Sequence, residues 1–147
     1  MEEQYTAFPI TVLDGSENGT KIVPKRFFGV DTIRENIADN GGIKIAYRAF
    51  KRALERSEEA RMVPAGLGLT AEQLFWVGWA QDFCLLGNHH HTEPDLAAYI
   101  RKFIGRGHHA PAPWRVDTVL SNQPQFAQDF QCDSRAKLNP VNRCSVW

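Results

Sequence analysis

Helical periodicity runs from Ile33 to Leu54 straight through the glycine pair Gly41-Gly42, so one long α-helix has to frame this chain. Asp31 or Thr32 supplies the N-cap, and Thr32 with Glu35 fits the S/T-x-x-E capping box. Glu35 and Asp39 stand four residues apart, which puts both carboxylates on one helical face about a turn from each other. Ile33, Ile37, Ala46, Phe50 and Leu54 form an apolar stripe on the neighbouring face. Like charges at this spacing mildly destabilise a helix, and the two interior glycines cost roughly 2 kcal/mol relative to alanines. A cation held by the carboxylates, or close approach of another backbone at Gly41 and Gly42, would offset that cost. The plainer alternative has Glu35 capping and Asp39 solvated.

The frame helix is expected from about Thr32 to Arg56, with Glu55 to Arg61 as its solvated end. Before it, the apolar run Ala7 to Leu13 and the turn-rich Asp14 to Gly19 predict a hairpin from about Ile10 to Val23, and Asn18-Gly19-Thr20 has the form of a glycosylation sequon. After it come the breakers Val63 to Leu69, then a second capping box at Thr70 and Gln73. Leu74 to Cys84 is apolar on most faces, which predicts a helix at the buried centre whose aromatics are core and which is too short to span a membrane. His89-His90-His91 falls in a loop, and three adjacent histidines cannot all face one ion, so no metal site is expected there.

A third helix is expected to open near Pro94 and end at Gly105. Gly105 to Asp117 lacks helix signals and reads as a proline-stiffened loop presenting His109 and Arg115. Histidine can donate to a developing oxyanion, and the planar fork of arginine suits a peptide carbonyl or carboxylate. His108 competes with His109 for that role. Pro124 to Phe130 predicts a short fourth helix, and Asn139 to Trp147 an irregular tail with Trp147 packed on the body.

The length of 147 residues suits a single unit. With 17 basic and 17 acidic residues the net charge is zero, so nothing favours nucleic acid or an acidic membrane surface. Met1-Glu2-Glu3-Gln4 is not signal-like, so the chain is either intracellular or has its targeting segment elsewhere. Cys84, Cys132 and Cys144 are an odd number, which in a secreted protein means partners outside the chain; the alternative is buried free thiols in a reducing compartment.

Glu35-Asn36-Ile37-Ala38-Asp39-Asn40-Gly41-Gly42 resembles the E-N-x-A-D-x-G-G motif of the neprilysin and endothelin-converting-enzyme family of zinc metallopeptidases. Further blocks follow in the family's order: Gln73-Leu74-Phe75-Trp76, His109-Ala110-Pro111 with Arg115, and the terminal Cys144-Ser145-Val146-Trp147. The resemblance implies a mainly α fold, the C-terminal helical portion of a thermolysin-like (zincin) peptidase domain, to which the turn pattern adds a short N-terminal hairpin. It implies one Zn2+ ion with Glu35 as third protein ligand, Asp39 orienting a ligating histidine, His109 stabilising the oxyanion and Arg115 binding the substrate backbone. The family's other two ligands and its general base lie on H-E-x-x-H, a motif absent from this sequence. The chain is therefore expected to act on peptide substrates only together with the upstream part of the same peptidase. The resemblance further implies an extracellular or cell-surface location and cysteines paired with upstream ones. The alternative is a non-catalytic helical interaction domain derived from the same family.

Overall fold

A computed structural model describes residues 1–7, 11–13, 20–22, 29–30, 32–84, 109–110 and 112–147. The fold is mainly α. The expected frame helix is present as α2, Ile33–Arg56, after a short N-terminal helix α1, Glu2–Ala7, that no local pattern announces. Between them strands β1 (Thr11–Leu13) and β2 (Thr20–Ile22) pair antiparallel with Thr11 opposite Ile22, as the hairpin pattern predicts. A 3-10 turn at Glu59–Arg61 follows α2, then α3 (Ala71–Gln81), α4 (Ala112–Ser121) and α5 (Pro124–Asp129). The sequon at Asn18, the histidine run His89-His90-His91, the helix expected from Pro94 to Gly105, and Asp31 and His108 lie outside the described residues.

Two expectations fail for a shared reason, which is that tertiary partners decide which face of α2 is buried. The covered face is Asn36, Asn40, Ile43, Tyr47 and Leu54; Ala46 is exposed and Ile33, Ile37 and Phe50 are only half-buried. The second expectation, close approach of a backbone at Gly41 and Gly42, also fails. A Cβ on Gly41 would come within 2.5 Å of Cζ2 of Trp147, so the glycine makes room for an indole, while the space at Gly42 is open. Trp147 itself stays 71% exposed, touching the body by one part of its ring rather than packing fully.

The apolar core gathers Ile43 and Tyr47 of α2, Trp76 of α3, Val119 and Leu120 of α4 and Phe126 of α5. Tyr47 stacks on Trp76 at 4.5 Å between centroids, and Phe75 and Phe126 meet the Trp76 ring edge-on. The polar ends of both central rings are satisfied by one carboxylate: Tyr47 Oη and Trp76 Nε1 donate to Asp129 Oδ2 at 2.7 and 2.6 Å. Trp76 is the only residue of α3 that is fully buried, so α3 is a half-covered helix rather than the buried centre.

Behind the N-terminal half of α2 the packing is polar instead. Asn40 donates to Tyr5 Oη at 2.9 Å and to Asn36 O at 2.7 Å, and its Oδ1 accepts from Asn122 Nδ2 at 2.9 Å. Asn122 in turn pairs with Gln4 and accepts from the Cys144 backbone N–H at 2.9 Å. This network joins α1, α2, the α4–α5 turn and the tail, and it fixes the axial position of α2 more sharply than interchangeable apolar contacts would. Burial pushes the Tyr5 phenol well above its ordinary range.

Candidate functional site

The i,i+4 carboxylates of α2 face the segment carrying His109 and Arg115. Glu35 Oε2 lies 3.1 Å from His109 Nε2, with both side chains about two-fifths exposed. One turn on, Asp39 accepts two hydrogen bonds from Arg115, Nε to Oδ2 and Nη2 to Oδ1, each 2.7 Å. That pair is far better covered, with Asp39 at 10% and Arg115 at 23% side-chain exposure. All four residues singled out in the sequence therefore meet, across more than seventy residues of chain. They form an open pair, Glu35 and His109, beside a covered pair, Asp39 and Arg115.

Local structure explains the arrangement. Arg115 was expected in a proline loop; it sits instead in the first turn of α4, which starts at Ala112. Pro113 disguises this helix, because proline reads as a breaker although the first turn needs no N–H from it. The capping box expected between Thr32 and Glu35 is not formed. Thr32 Oγ1 accepts from Asn36 Nδ2 at 2.8 Å, which leaves the Glu35 carboxylate turned toward His109.

Sequence reading missed the support beneath Arg115. Its guanidinium carbon stands 4.7 Å from the centroid of the Phe83 ring, and Trp79 Nε1 donates to Arg115 O at 3.2 Å. Trp79 and Phe83 are themselves in ring contact at 5.0 Å. The i,i+4 spacing of these two aromatics is a signal of mutual contact, but nothing local says that their shared surface receives an arginine. Hydrogen bonding to Asp39 raises the Arg115 pKa further, so the fork is a permanent cation.

Chemically, Glu35 offers a partly exposed carboxylate oxygen, a donor type suited to zinc at about 2.0–2.2 Å. The described residues contain no group of three histidine, cysteine or acidic side chains able to hold a metal. One ligand fits and the rest of a zinc site does not come from them. Asp39 keeps acceptor capacity beyond its two bonds to Arg115, since a carboxylate has about four lone-pair sites. Cys84, Cys132 and Cys144 form no disulfide with one another.

A family profile described as Peptidase family M13 matches residues 4–146. The chain is 44% identical to Neprilysin-1 of Caenorhabditis elegans over 124 residues, which cover 83% of this chain and 15% of that protein. It is 40% identical to Neprilysin-2 of Drosophila melanogaster over 123 residues, 81% of this chain and 14% of the relative. Over 147 residues it is 37% identical to Endothelin-converting enzyme 1 of Cavia porcellus, covering 100% of this chain and 17% of the relative. It thus spans between 14% and 17% of the length of these three proteins.

Proposed function

The chain belongs to peptidase family M13, and from that membership we propose that it is a C-terminal portion of a zinc metalloendopeptidase site, completed by upstream polypeptide. In this reading Glu35 is the third protein ligand of the ion, and the two remaining ligands and the general base come from an H-E-x-x-H segment that this sequence does not contain. Bound zinc would polarise the scissile carbonyl and lower the pKa of its water. The chain is inactive by itself.

The observation that carries the reading is the adjacency of the two pairs, Glu35 with His109 and Asp39 with Arg115. In this reading His109, whose Nε2 lies 3.1 Å from the ligand carboxylate, donates a hydrogen bond to the negative charge that develops on a substrate carbonyl oxygen. Asp39 holds Arg115 by two of its five donors, and the others bind the backbone of a peptide substrate. Asp39 also orients a histidine ligand supplied from upstream, through its spare acceptor sites. The half-covered aromatic face of α3 packs against the upstream part, whose cysteines pair with Cys84, Cys132 and Cys144. The completed enzyme works outside the cell or at its surface. No helix among the described residues is long and apolar enough to cross a membrane.

The test supplies the missing half. The chain is joined to the upstream portion of a family relative that carries H-E-x-x-H, and bound zinc and peptide hydrolysis are measured. Both should appear in the joined protein, and Glu35→Gln should abolish hydrolysis and reduce zinc retention. Full zinc content and activity in that variant would remove Glu35 as a ligand. A joined protein that folds and associates but never hydrolyses would favour a non-catalytic helical interaction domain, the reading that the absent motif also supports.

A further inference from the structure

On the far side of α2 from the Glu35 face lies a cationic cleft that the peptidase reading leaves unused. It has a volume of about 340 Å3 and is walled by Lys44, Arg48, Lys51 and Arg52 of α2 against Gln123 of the α4–α5 turn and Gln125 in the first turn of α5. Arg48 stands thirteen residues after Glu35 and Arg52 thirteen after Asp39, which on an α-helix is roughly 140° around the axis. The cleft is thus separate from the candidate peptidase site.

Four cations along two helical turns repel one another, and the like-charged i,i+4 pairs Lys44 with Arg48 and Arg48 with Arg52 each oppose the helix. Two of the four are already engaged. Lys51 pairs with Glu72 at 2.6 Å, and Lys44 donates to Ser145 Oγ and Val146 O at 3.0 and 3.1 Å. Arg48 and Arg52 are exposed and have no hydrogen-bond or carboxylate partner among the described residues. The single acid in the wall is Glu55, at its far end. In a chain whose formal charge is zero, this is a local concentration of positive charge.

The opposite wall decides what kind of anion fits. Gln123 is buried at 4% exposure and its amide N–H reaches Asn40 O at 3.4 Å, so it is a fixed polar floor. Gln125 is exposed beside it. Carboxamides recognise hydroxyl and N-acyl groups, and guanidinium forks recognise oxyacid groups in two-point fashion. The one aromatic residue in the wall, Tyr47, is 7% exposed and stacked on Trp76, so it presents no free ring face for a nucleobase. Arginines about one turn apart facing amides across a cleft of this volume match a sulfated sugar.

We infer that this cleft binds a sulfated oligosaccharide, with Arg48 and Arg52 on the sulfates and Gln125 on the sugar hydroxyls. The inference is independent of the metallopeptidase reading and is tested on the chain as it stands. A heparin-derived tetrasaccharide is titrated by calorimetry at low and physiological salt, with its de-sulfated counterpart and inositol hexakisphosphate as comparison probes. The sulfated tetrasaccharide should bind, the de-sulfated one should not, and Arg48→Ala with Arg52→Ala should weaken binding by about tenfold or more. Both arginines are exposed and like-charged, so the variant should unfold at the same urea concentration as the parent or a slightly higher one. Gln125→Ala should weaken the tetrasaccharide while leaving inositol hexakisphosphate unchanged. Undetectable binding of the tetrasaccharide overturns the inference. So does an equal loss when the remote Arg34 and Arg135 are replaced instead, or equal binding of all anions with no effect of Gln125→Ala.

Discussion

Thr70 and Gln73 close a reciprocal pair of hydrogen bonds at the start of α3, whereas Thr32 and Glu35, the same pattern at the start of α2, do not close it. In α3 the Thr70 hydroxyl accepts from Gln73 N at 3.2 Å and Gln73 Oε1 accepts from Thr70 N at 3.0 Å. In α2 the hydroxyl is drawn one residue further to the Asn36 side chain, and the acid goes to His109. Forgoing a cap costs about 1 kcal/mol, yet α2 begins where the candidate chemistry lies and α3 does not. Departure from the local rule marks the helix start that serves something other than its own stability.

That contrast predicts that the α2 end is held by tertiary partners and the α3 end by its cap. The largest effect is then expected at the covered ion pair. Arg115→Ala leaves the Asp39 carboxylate, 10% exposed, without its cation and should cost about 3 kcal/mol in urea unfolding. Asp39→Ala should cost a similar amount, and the double variant should cost less than the two singles together, since neither partner is then left uncompensated. A double-variant cost equal to the sum of the two singles would mean that the fork contributes nothing specific to holding α2 on α4.

Thr32→Val comes next. It removes the acceptor of a buried Asn36 Nδ2 while keeping the side-chain volume, and a stranded donor costs about 1–3 kcal/mol. Thr70→Ala should cost about 1 kcal/mol, because only an exposed cap is lost. A larger loss at Thr70 than at Thr32 would reverse the contrast between the two ends.

How much of this could be read in advance follows the same division. The span of α2, the capped start of α3 and the helix after Pro124 rest on periodicity and capping, which are local, and they emerged from the sequence with nearly their observed bounds. The six-residue α1 has no such code; Tyr5 and Gln4 are held by Asn40 and Asn122, more than thirty residues away. The first turn of α4 was hidden by Pro113. Glu35, Asp39, His109 and Arg115 were identified as chemistry-bearing residues, but which of them pair is a property of how α2 lies on α4. Asn36 and Asn40 carry no local signal of burial, and only the amide network behind them shows why they are buried while Ile33 and Ile37 are only half-buried.

The smallest effect concerns pH and separates the two helix starts by charge rather than by geometry. Glu72, in the first turn of α3, accepts from Lys51 Nζ at 2.6 Å, and this bond holds its pKa below the ordinary value of 4.5. A carboxylate whose folded pKa is depressed contributes stability that is complete above its unfolded pKa and is lost as pH falls through the folded value. The loss should therefore begin below the ordinary carboxylate value and grow on further acidification. Lys51 is 42% exposed and Glu72 26%, so solvent screens the pair and the contribution is about 0.5 kcal/mol at most. Comparing urea midpoints of the parent and Glu72→Gln near neutrality and near pH 3 isolates it, since other carboxylates titrate in both proteins. The two midpoints should differ near neutrality and converge in acid. A constant gap between them would mean that the Lys51 bond, and with it the charge at the start of α3, does not stabilise the fold.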